Sequence, residues 1–165
     1  MISMDQYLES FDRMVAATET LFRLVPDDRF NWAPREGMMT CGQQMLHMAG
    51  AMKLYSDGIM KGEWPSASME ELLLKNNETP SGSSALALRL LRRSVADVRQ
   101  TLKGLTEEDL AVPVFAPQFG GKVPRWKMVL LFFEHHYSHK AELFTYLRSM
   151  GVPVGSKQLY FGEES

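Results

Sequence analysis

A chain of 165 residues and 18.8 kDa, with 45% apolar and 23% charged residues, is long enough to bury one core and too apolar to be disordered. Its 18 basic and 20 acidic side chains give a net charge of -2, which disfavours nucleic acid as the main ligand because phosphate binding needs a clustered positive field. One cysteine, no signal-peptide pattern and no apolar run long enough for a bilayer predict a cytoplasmic protein without a membrane span.

The first third of the chain predicts two amphipathic helices. Over residues 5–25, apolar residues recur at three- and four-residue steps with charged residues between them. A loop over residues 26–39, which contains two prolines and a glycine, follows this pattern. Thr40 and Gln43 then match the T-x-x-Q capping box, which predicts the start of a second helix that ends near residue 62.

The rest of the chain predicts two further long helices. Residues 63–83, rich in serine, asparagine and proline, read as a long crossover to a third helix over residues 83–105. A short extra turn is predicted at residues 106–110, and residues 112–121 are interpreted as a loop or a short hairpin. The longest helix is predicted over residues 124–150, with a proline in its first turn and a glycine just after its end.

These elements predict an all-α fold, a four-helix bundle with a long crossover between the second and third helices. There is no convincing alternation of apolar and polar residues of the kind that marks a strand, and there is no internal repeat. We expect a single bundle domain over residues 1–156. Residues 157–165 are expected to form a C-terminal extension that is either docked on the bundle or loose.

Three of the four histidines lie in one stretch, EHHYSHK, at residues 134–140. Residues on a helix advance by about 100° each, so His135 and His139 lie one turn apart on the same face. Two imidazoles at this spacing can present nitrogens to one ion, which is why H-x-x-x-H recurs in zinc sites. His136 lies about 100° away from His135, although an i, i+3 pairing of His136 with His139 is also geometrically possible.

The surroundings of this stretch favour a site. The helix is apolar nearly all round, with VLLFF before the pair, and burying an unpaired imidazole costs about 1–3 kcal/mol. The fourth histidine, His47, lies in the middle of the second helix, with Gly50 and Ala51 one turn onward. It can complete a three-histidine site in the bundle core. Cys41, six residues before His47, falls about 240° around the helix and is predicted to face away.

The sequence resembles the DinB-like family, named for DNA-damage-inducible proteins and related to YfiT-type metal-dependent hydrolases. The matching stretches are LVPDDRFNWAPREG, TCGQQMLHMAG and FFEHHYSHKAELFTYLRSMGVP, which together cover most of the chain. Members of the family are four-helix bundles with a three-histidine metal site. Carried over residue by residue, the resemblance implies His47, His135 and His139 as metal ligands and leaves His136 as a neighbouring non-ligand.

The chain departs from the family pattern after the last histidine. Many members have Arg-Gly-Gln there, whereas this chain has Lys140, Ala141 and Glu142. Glu142 lies one turn beyond His139, where it either orients that ring or faces solvent. Glu142 and Glu134 are the candidates for a catalytic general base.

The resemblance also implies the cofactor and the assembly. It implies a divalent transition metal, nickel or zinc in most members, together with a low-molecular-weight thiol in some of them, and a homodimer. The function implied is a metal-dependent enzyme that acts on a small-molecule substrate by hydrolysis or thiol transfer, because three imidazoles leave an open coordination position. The alternative is a non-catalytic dimeric stress-response bundle with a residual or structural metal site.

Overall fold

A computed structural model describes residues 3–64 and 83–163, in which four long helices pack as a bundle. The elements in chain order are α1 (Met4–Leu24), a 3-10 turn (Asp27–Arg29), α2 (Cys41–Lys61), α3 (Ser84–Lys103), α4 (Glu107–Ala111), β1 (Pro113–Ala116), a second 3-10 turn (Pro117–Phe119), β2 (Gly121–Pro124), α5 (Arg125–Ser149) and α6 (Ser156–Phe161). The predicted all-α four-helix bundle is confirmed. Most of the predicted crossover between α2 and α3 lies outside the described residues.

The helices begin where the capping signals predict. Thr40 Oγ1 accepts a hydrogen bond from the Gln43 amide, and Gln43 Oε1 accepts one from the Thr40 amide, which completes the capping box of α2. Ser83 caps α3 by accepting from the Leu86 amide at 3.2 Å. Thr106 caps α4 in the same way, so the short extra turn is also confirmed. The caps therefore fix the start of each of these helices along the chain.

The region interpreted as a loop or a short hairpin, residues 112–121, belongs to a two-stranded antiparallel hairpin over residues 113–124. Trp64 Nε1 donates a hydrogen bond to the Phe115 carbonyl at 2.8 Å, which attaches the hairpin to the chain just beyond α2. Arg125, the first residue of α5, donates from Nε to the Ile59 carbonyl at 2.8 Å. This bond satisfies a carbonyl in the last turn of α2 and fixes where α5 begins beside it.

α1 and α2 each pack against both α3 and α5, and the core lies between these four helices. The largest fully buried side chains include Phe11, Phe22, Met45, Phe132 and Tyr146. α5 therefore lies between α1 on one flank and α2 on the other, which matters for the histidines that it carries. Among the residues that the structure describes, no helix is both long enough and apolar enough to cross a membrane.

The described part of the C-terminal extension, up to residue 163, is docked rather than loose. Most of its residues lie in α6, which packs on α1, and Thr20 Oγ1 donates to the Gly162 carbonyl at 2.8 Å. Lys140 Nζ, on α5, donates to the Leu159 carbonyl at 2.7 Å. Two helices of the bundle therefore hold α6 in place. The predicted division of the chain at residue 156 coincides with the first residue of α6, and the division itself stays a prediction.

Two glycines of α2 have opposite surroundings and provide a test of the packing. A Cβ at Gly58 would lie 2.1 Å from Trp64 Cζ2, whereas a Cβ at Gly50 would have no described atom within 4 Å. We expect Gly58→Ala to lower the free energy of unfolding by about 1–3 kcal/mol, because the indole must move. Gly50→Ala should raise it by about 0.5–1 kcal/mol through helix propensity.

The measurement for both variants is urea unfolding followed by circular dichroism, which does not depend on the fluorescence of Trp64. Gly50→Ala is the matched control, since it makes the same substitution on the same helix. If Gly58→Ala were as stable as the wild type, the close packing of the indole over α2 would be wrong.

Candidate metal centre

The three histidines implied as ligands come together between α2 and α5. His47 Nε2 lies 3.2 Å from His135 Nε2 and 3.1 Å from His139 Nε2. Each residue offers one nitrogen such that all three lie within 4.8 Å of one another, and the three side chains are half-buried. The one-turn spacing on α5 and the mid-helix position on α2 therefore produce a convergent set of three nitrogen donors.

The chemistry of this donor set fits a divalent transition-metal ion. Two nitrogens at about 2.0–2.1 Å from a tetrahedral ion lie about 3.3 Å from each other, close to both Nε2 separations found here. A single proton can bridge only one pair of these nitrogens, whereas one cation can accept lone pairs from all three. Three protein ligands also leave a position for water or substrate, as catalytic zinc sites do.

His135 is held in the neutral form that a ligand requires. Burial in the first place, and then the neighbouring rings of His139 and His47, lower the pKa of His135 to about 3. A neutral imidazole keeps a lone pair on one nitrogen, and a protonated one does not. At neutral pH, His135 therefore has a donor nitrogen facing the other two histidines.

Glu142 contacts His139. The structure therefore favours a carboxylate that orients the His139 ring over one that faces solvent. Glu142 Oε2 lies 3.1 Å from His139 Nδ1. In the tautomer that leaves the lone pair on Nε2, which faces His47, Nδ1 carries the proton and donates to this carboxylate. Tyr146 Oη donates to the other carboxylate oxygen at 3.5 Å. The carboxylate therefore limits the rotation of the imidazole and favours the tautomer that can serve as a ligand through Nε2.

Gln44 is a site residue that the sequence analysis missed. It is fully buried in α2, and its Nε2 donates to Glu142 Oε2 at 2.7 Å while lying 2.8 Å from His139 Nδ1. The amide, the imidazole Nδ1 and the carboxylate oxygen therefore meet at one point beside His139. The available signal was the spacing to His47, since a residue three positions earlier lies on the same helix face. A buried glutamine on that face belongs next to the histidine site.

Glu134, the other candidate base, is not brought to the histidines. Its side chain is exposed, and its described hydrogen bond is one that its backbone carbonyl accepts from Ser138 at 2.8 Å. Although Glu134 is adjacent to His135 in sequence, a step of one residue turns it about 100° around the helix. The structure therefore separates the two glutamates that the sequence left as equal candidates.

His136 has a structural contact on the opposite flank of α5. It is 1% exposed, and its Nε2 lies 2.9 Å from Thr18 Oγ1 on α1. The Thr18 hydroxyl donates to the Met14 carbonyl, so the imidazole is the donor to the hydroxyl oxygen. Burial, as the largest cause, lowers the pKa of His136 to about 3 and keeps the ring neutral. The i, i+3 pairing of His136 with His139 is therefore not the arrangement found.

Aromatic residues form a wall beside the histidines, and these too were missed. The Tyr55 ring lies 5.1 Å from that of His135 and 5.8 Å from that of Trp64, in an edge-on arrangement with the indole. Burial raises the pKa of Tyr55 to about 12, so its hydroxyl stays protonated at neutral pH.

Cys41 is fully buried, and burial raises the pKa of its thiol to about 11, which disfavours a role as nucleophile.

Three proteins similar to this chain have crystal structures with the same fold, and one of them is also similar in sequence. The chain is 28% identical to the uncharacterized protein YjoA of Bacillus subtilis (strain 168) over 135 residues, which is 81% of this chain and 82% of that protein. The crystal structure of YjoA, a DinB-like protein, superposes with a TM-score of 0.68 at 22% identity, covering 90% of this chain and 96% of that one.

A DinB-like protein from Bacillus cereus ATCC 10987 gives a TM-score of 0.72 at 18% identity, with 92% of this chain and 96% of that chain covered. A DinB family member from Shewanella denitrificans gives 0.55 at 18% identity, with coverages of 99% and 91%. At these identities the structures support the fold alone. The sequence itself matches the DinB superfamily over residues 10–143, which is most of its length. The chain therefore belongs to the DinB superfamily.

Proposed function

We propose that this protein is a metal-dependent enzyme that acts on a small molecule by hydrolysis or thiol transfer. The observation that carries the proposal is the convergence of three imidazole nitrogens, in which His47 Nε2 on α2 lies 3.2 Å and 3.1 Å from the Nε2 atoms of His135 and His139 on α5. His47, His135 and His139 would hold the ion, with nickel or zinc as the candidates since imidazole suits both. Three ligands leave an open position, which a purely structural site does not need.

Each group at the site has a distinct part in this proposal. A divalent ion bound by three imidazoles supplies Lewis acidity, which makes water or a thiol nucleophilic at neutral pH. Glu142 and Gln44 keep the His139 ring in the orientation that presents Nε2. Tyr55 lies beside His135 and Trp64 packs on Tyr55, so these two rings would form an apolar wall that limits the access of water.

Neither glutamate is assigned the part of a general base. Glu142 is committed to His139 and Gln44, and a carboxylate that orients a ligand is a positioning group. Glu134 is exposed and lies away from the three histidines.

An assay of turnover distinguishes hydrolysis from thiol transfer. It is run on a panel of esters, electrophiles and low-molecular-weight thiols, with and without added nickel or zinc.

Homodimer formation and the use of a low-molecular-weight thiol stay predictions from the family resemblance. Light scattering coupled to size-exclusion chromatography measures the first directly, and a mass of one chain would contradict it. The thiol is tested within the same turnover panel, because a thiol-dependent reaction stops when the thiol is omitted, whereas a hydrolysis continues. Metal-independent folding without any turnover would instead favour a non-catalytic bundle.

Removing one of the three imidazoles should abolish stable metal binding. After incubation with nickel or zinc and dialysis, we expect about one ion per wild-type chain and a large loss in His139→Ala, because two imidazoles hold an ion far more weakly than three. The measurement is elemental analysis by mass spectrometry. A wild-type chain that retained no ion would remove the basis of the proposal.

His136→Gln provides the matched control for that experiment. It removes a histidine from the same helix, but one that contacts Thr18 rather than the other histidines. Loss of its buried hydrogen bond should reduce stability by about 1 kcal/mol and leave the metal content unchanged. Equal metal loss in His136→Gln and His139→Ala would mean that the wrong set of histidines has been chosen.

The two glutamates of α5 should differ in their effect on metal affinity. Glu142→Gln is expected to weaken the affinity by about 10–100-fold, since the carboxylate that accepts the His139 Nδ1 proton is lost. Glu134→Gln makes the same change on an exposed side chain and should leave the affinity as it is. Competition titration against a chromophoric chelator measures both. Indistinguishable affinities of the two variants would contradict the positioning part of Glu142.

A further inference from the structure

A cavity of about 330 Å³ lies between α1, α5 and α6, away from the three histidines. Its lining is Arg13, Met14, Tyr137, Lys140, Tyr160 and Phe161. It belongs to the flank of α5 that carries His136 and faces α1, whereas the metal centre lies on the flank that faces α2. The cavity is therefore separate from the metal centre, and no part of the proposed function uses it.

The cavity contains two positive charges and no negative one. Lys140 is 3% exposed, and the described hydrogen bond of its ammonium is to one neutral acceptor, the Leu159 carbonyl. Arg13 is exposed at the rim. Within the described part of the chain, no carboxylate forms an ion pair with either side chain. A buried ammonium without a counter-charge is costly, so an anion that entered the cavity would be stabilised.

The rest of the lining is mainly aromatic. Tyr137, Tyr160 and Phe161 keep 39%, 58% and 59% of their surface exposed, although large aromatic side chains are usually well buried. The Tyr137 ring already lies 5.0 Å from Lys140 Nζ in a cation–π contact. A flat organic anion could therefore pack its apolar part against the exposed rings and place its negative charge beside the two cations.

We propose that this cavity binds a small planar organic carboxylate, with Arg13 and Lys140 on the carboxylate and the aromatic side chains against its apolar body. The guanidinium of Arg13 can donate two parallel hydrogen bonds to a carboxylate, and Lys140 adds a second cation deeper in the cavity. A volume of about 330 Å³ lies at the small end of the range for ligand sites, which suits a compound of one ring.

Benzoate is the probe, and isothermal titration calorimetry on the full chain is the measurement. The protein is first treated with a chelator, because a carboxylate can also coordinate a metal ion. We expect saturable binding of benzoate and at least about tenfold weaker binding of neutral benzamide. Arg13→Gln should weaken benzoate binding at least about tenfold, the scale of one charge-assisted hydrogen bond. Arg13 is chosen because its side chain is exposed and lies outside the core.

Three controls isolate the cavity from other sources of binding. Arg93→Gln removes an exposed positive charge outside the cavity lining and should bind benzoate as the wild type does. His47→Ala should also bind benzoate unchanged, since the metal centre is not involved. Tyr160→Ala should weaken benzoate binding, because it removes one of the rings that face the apolar body of the ligand. The wild type should bind inorganic phosphate, which lacks an apolar body, more weakly than benzoate.

Each contrary result overturns the proposal in a recognisable way. Absence of saturable benzoate binding, or equal affinity for benzamide, excludes a carboxylate site. If Arg13→Gln and Arg93→Gln weakened benzoate binding equally, the binding would depend only on the net charge of the protein. If His47→Ala abolished benzoate binding, benzoate would bind at the histidines and not in the cavity. Failure of the proposed metal chemistry would leave all of these results unaffected.

Discussion

The approach of three imidazole nitrogens to within hydrogen-bonding distance, between α2 and α5, is the constraint on which the rest of this structure depends. A small rotation of either helix would separate His47 from His135 and His139. Several contacts prevent that rotation. The amide of Gln44 on α2 donates to Glu142 on α5, and the guanidinium of Arg125 joins the last turn of α2 to the start of α5. Helix packing alone leaves scatter in crossing angles, so such specific bonds are what set the register.

α5 presents two sets of polar side chains on two different flanks. His135, His139 and Glu142 face α2, while His136 and Lys140 contact α1 and α6. Each of these five side chains has a polar contact, as buried polar groups usually do, whereas Oε1 of Gln44, opposite them on α2, is buried without a described hydrogen-bond partner. The contact with α1 fixes the rotation of α5 from the side opposite to the site. The neighbouring histidines 135 and 136 therefore have separate parts, one at the site and one in the packing.

Much of the fold could be predicted from the sequence because its signals are local. A proline at its start and a glycine just after its end placed α5 within one residue of its observed ends at Arg125 and Ser149. The helical step of about 100° paired His135 with His139 without any knowledge of the partner helix. The contact of His136 with Thr18 could not be predicted in this way, because residues 118 positions apart in sequence meet only once the bundle has formed.

The remaining site residues were missed for the same physical reason. Gln44 carries no motif, and its importance follows from its reach across two helices to Glu142, which depends on how α2 and α5 are rotated. Trp64 lies beyond the end of α2 and packs on Tyr55, the neighbour of His135, because Gly58 leaves room for the indole. Relatives with 18–22% identity share the bundle, so the fold alone does not determine the chemistry. Under the proposed function, the reaction is decided by the side chains at the α2–α5 contact, where Gln44 and Glu142 hold one imidazole in place.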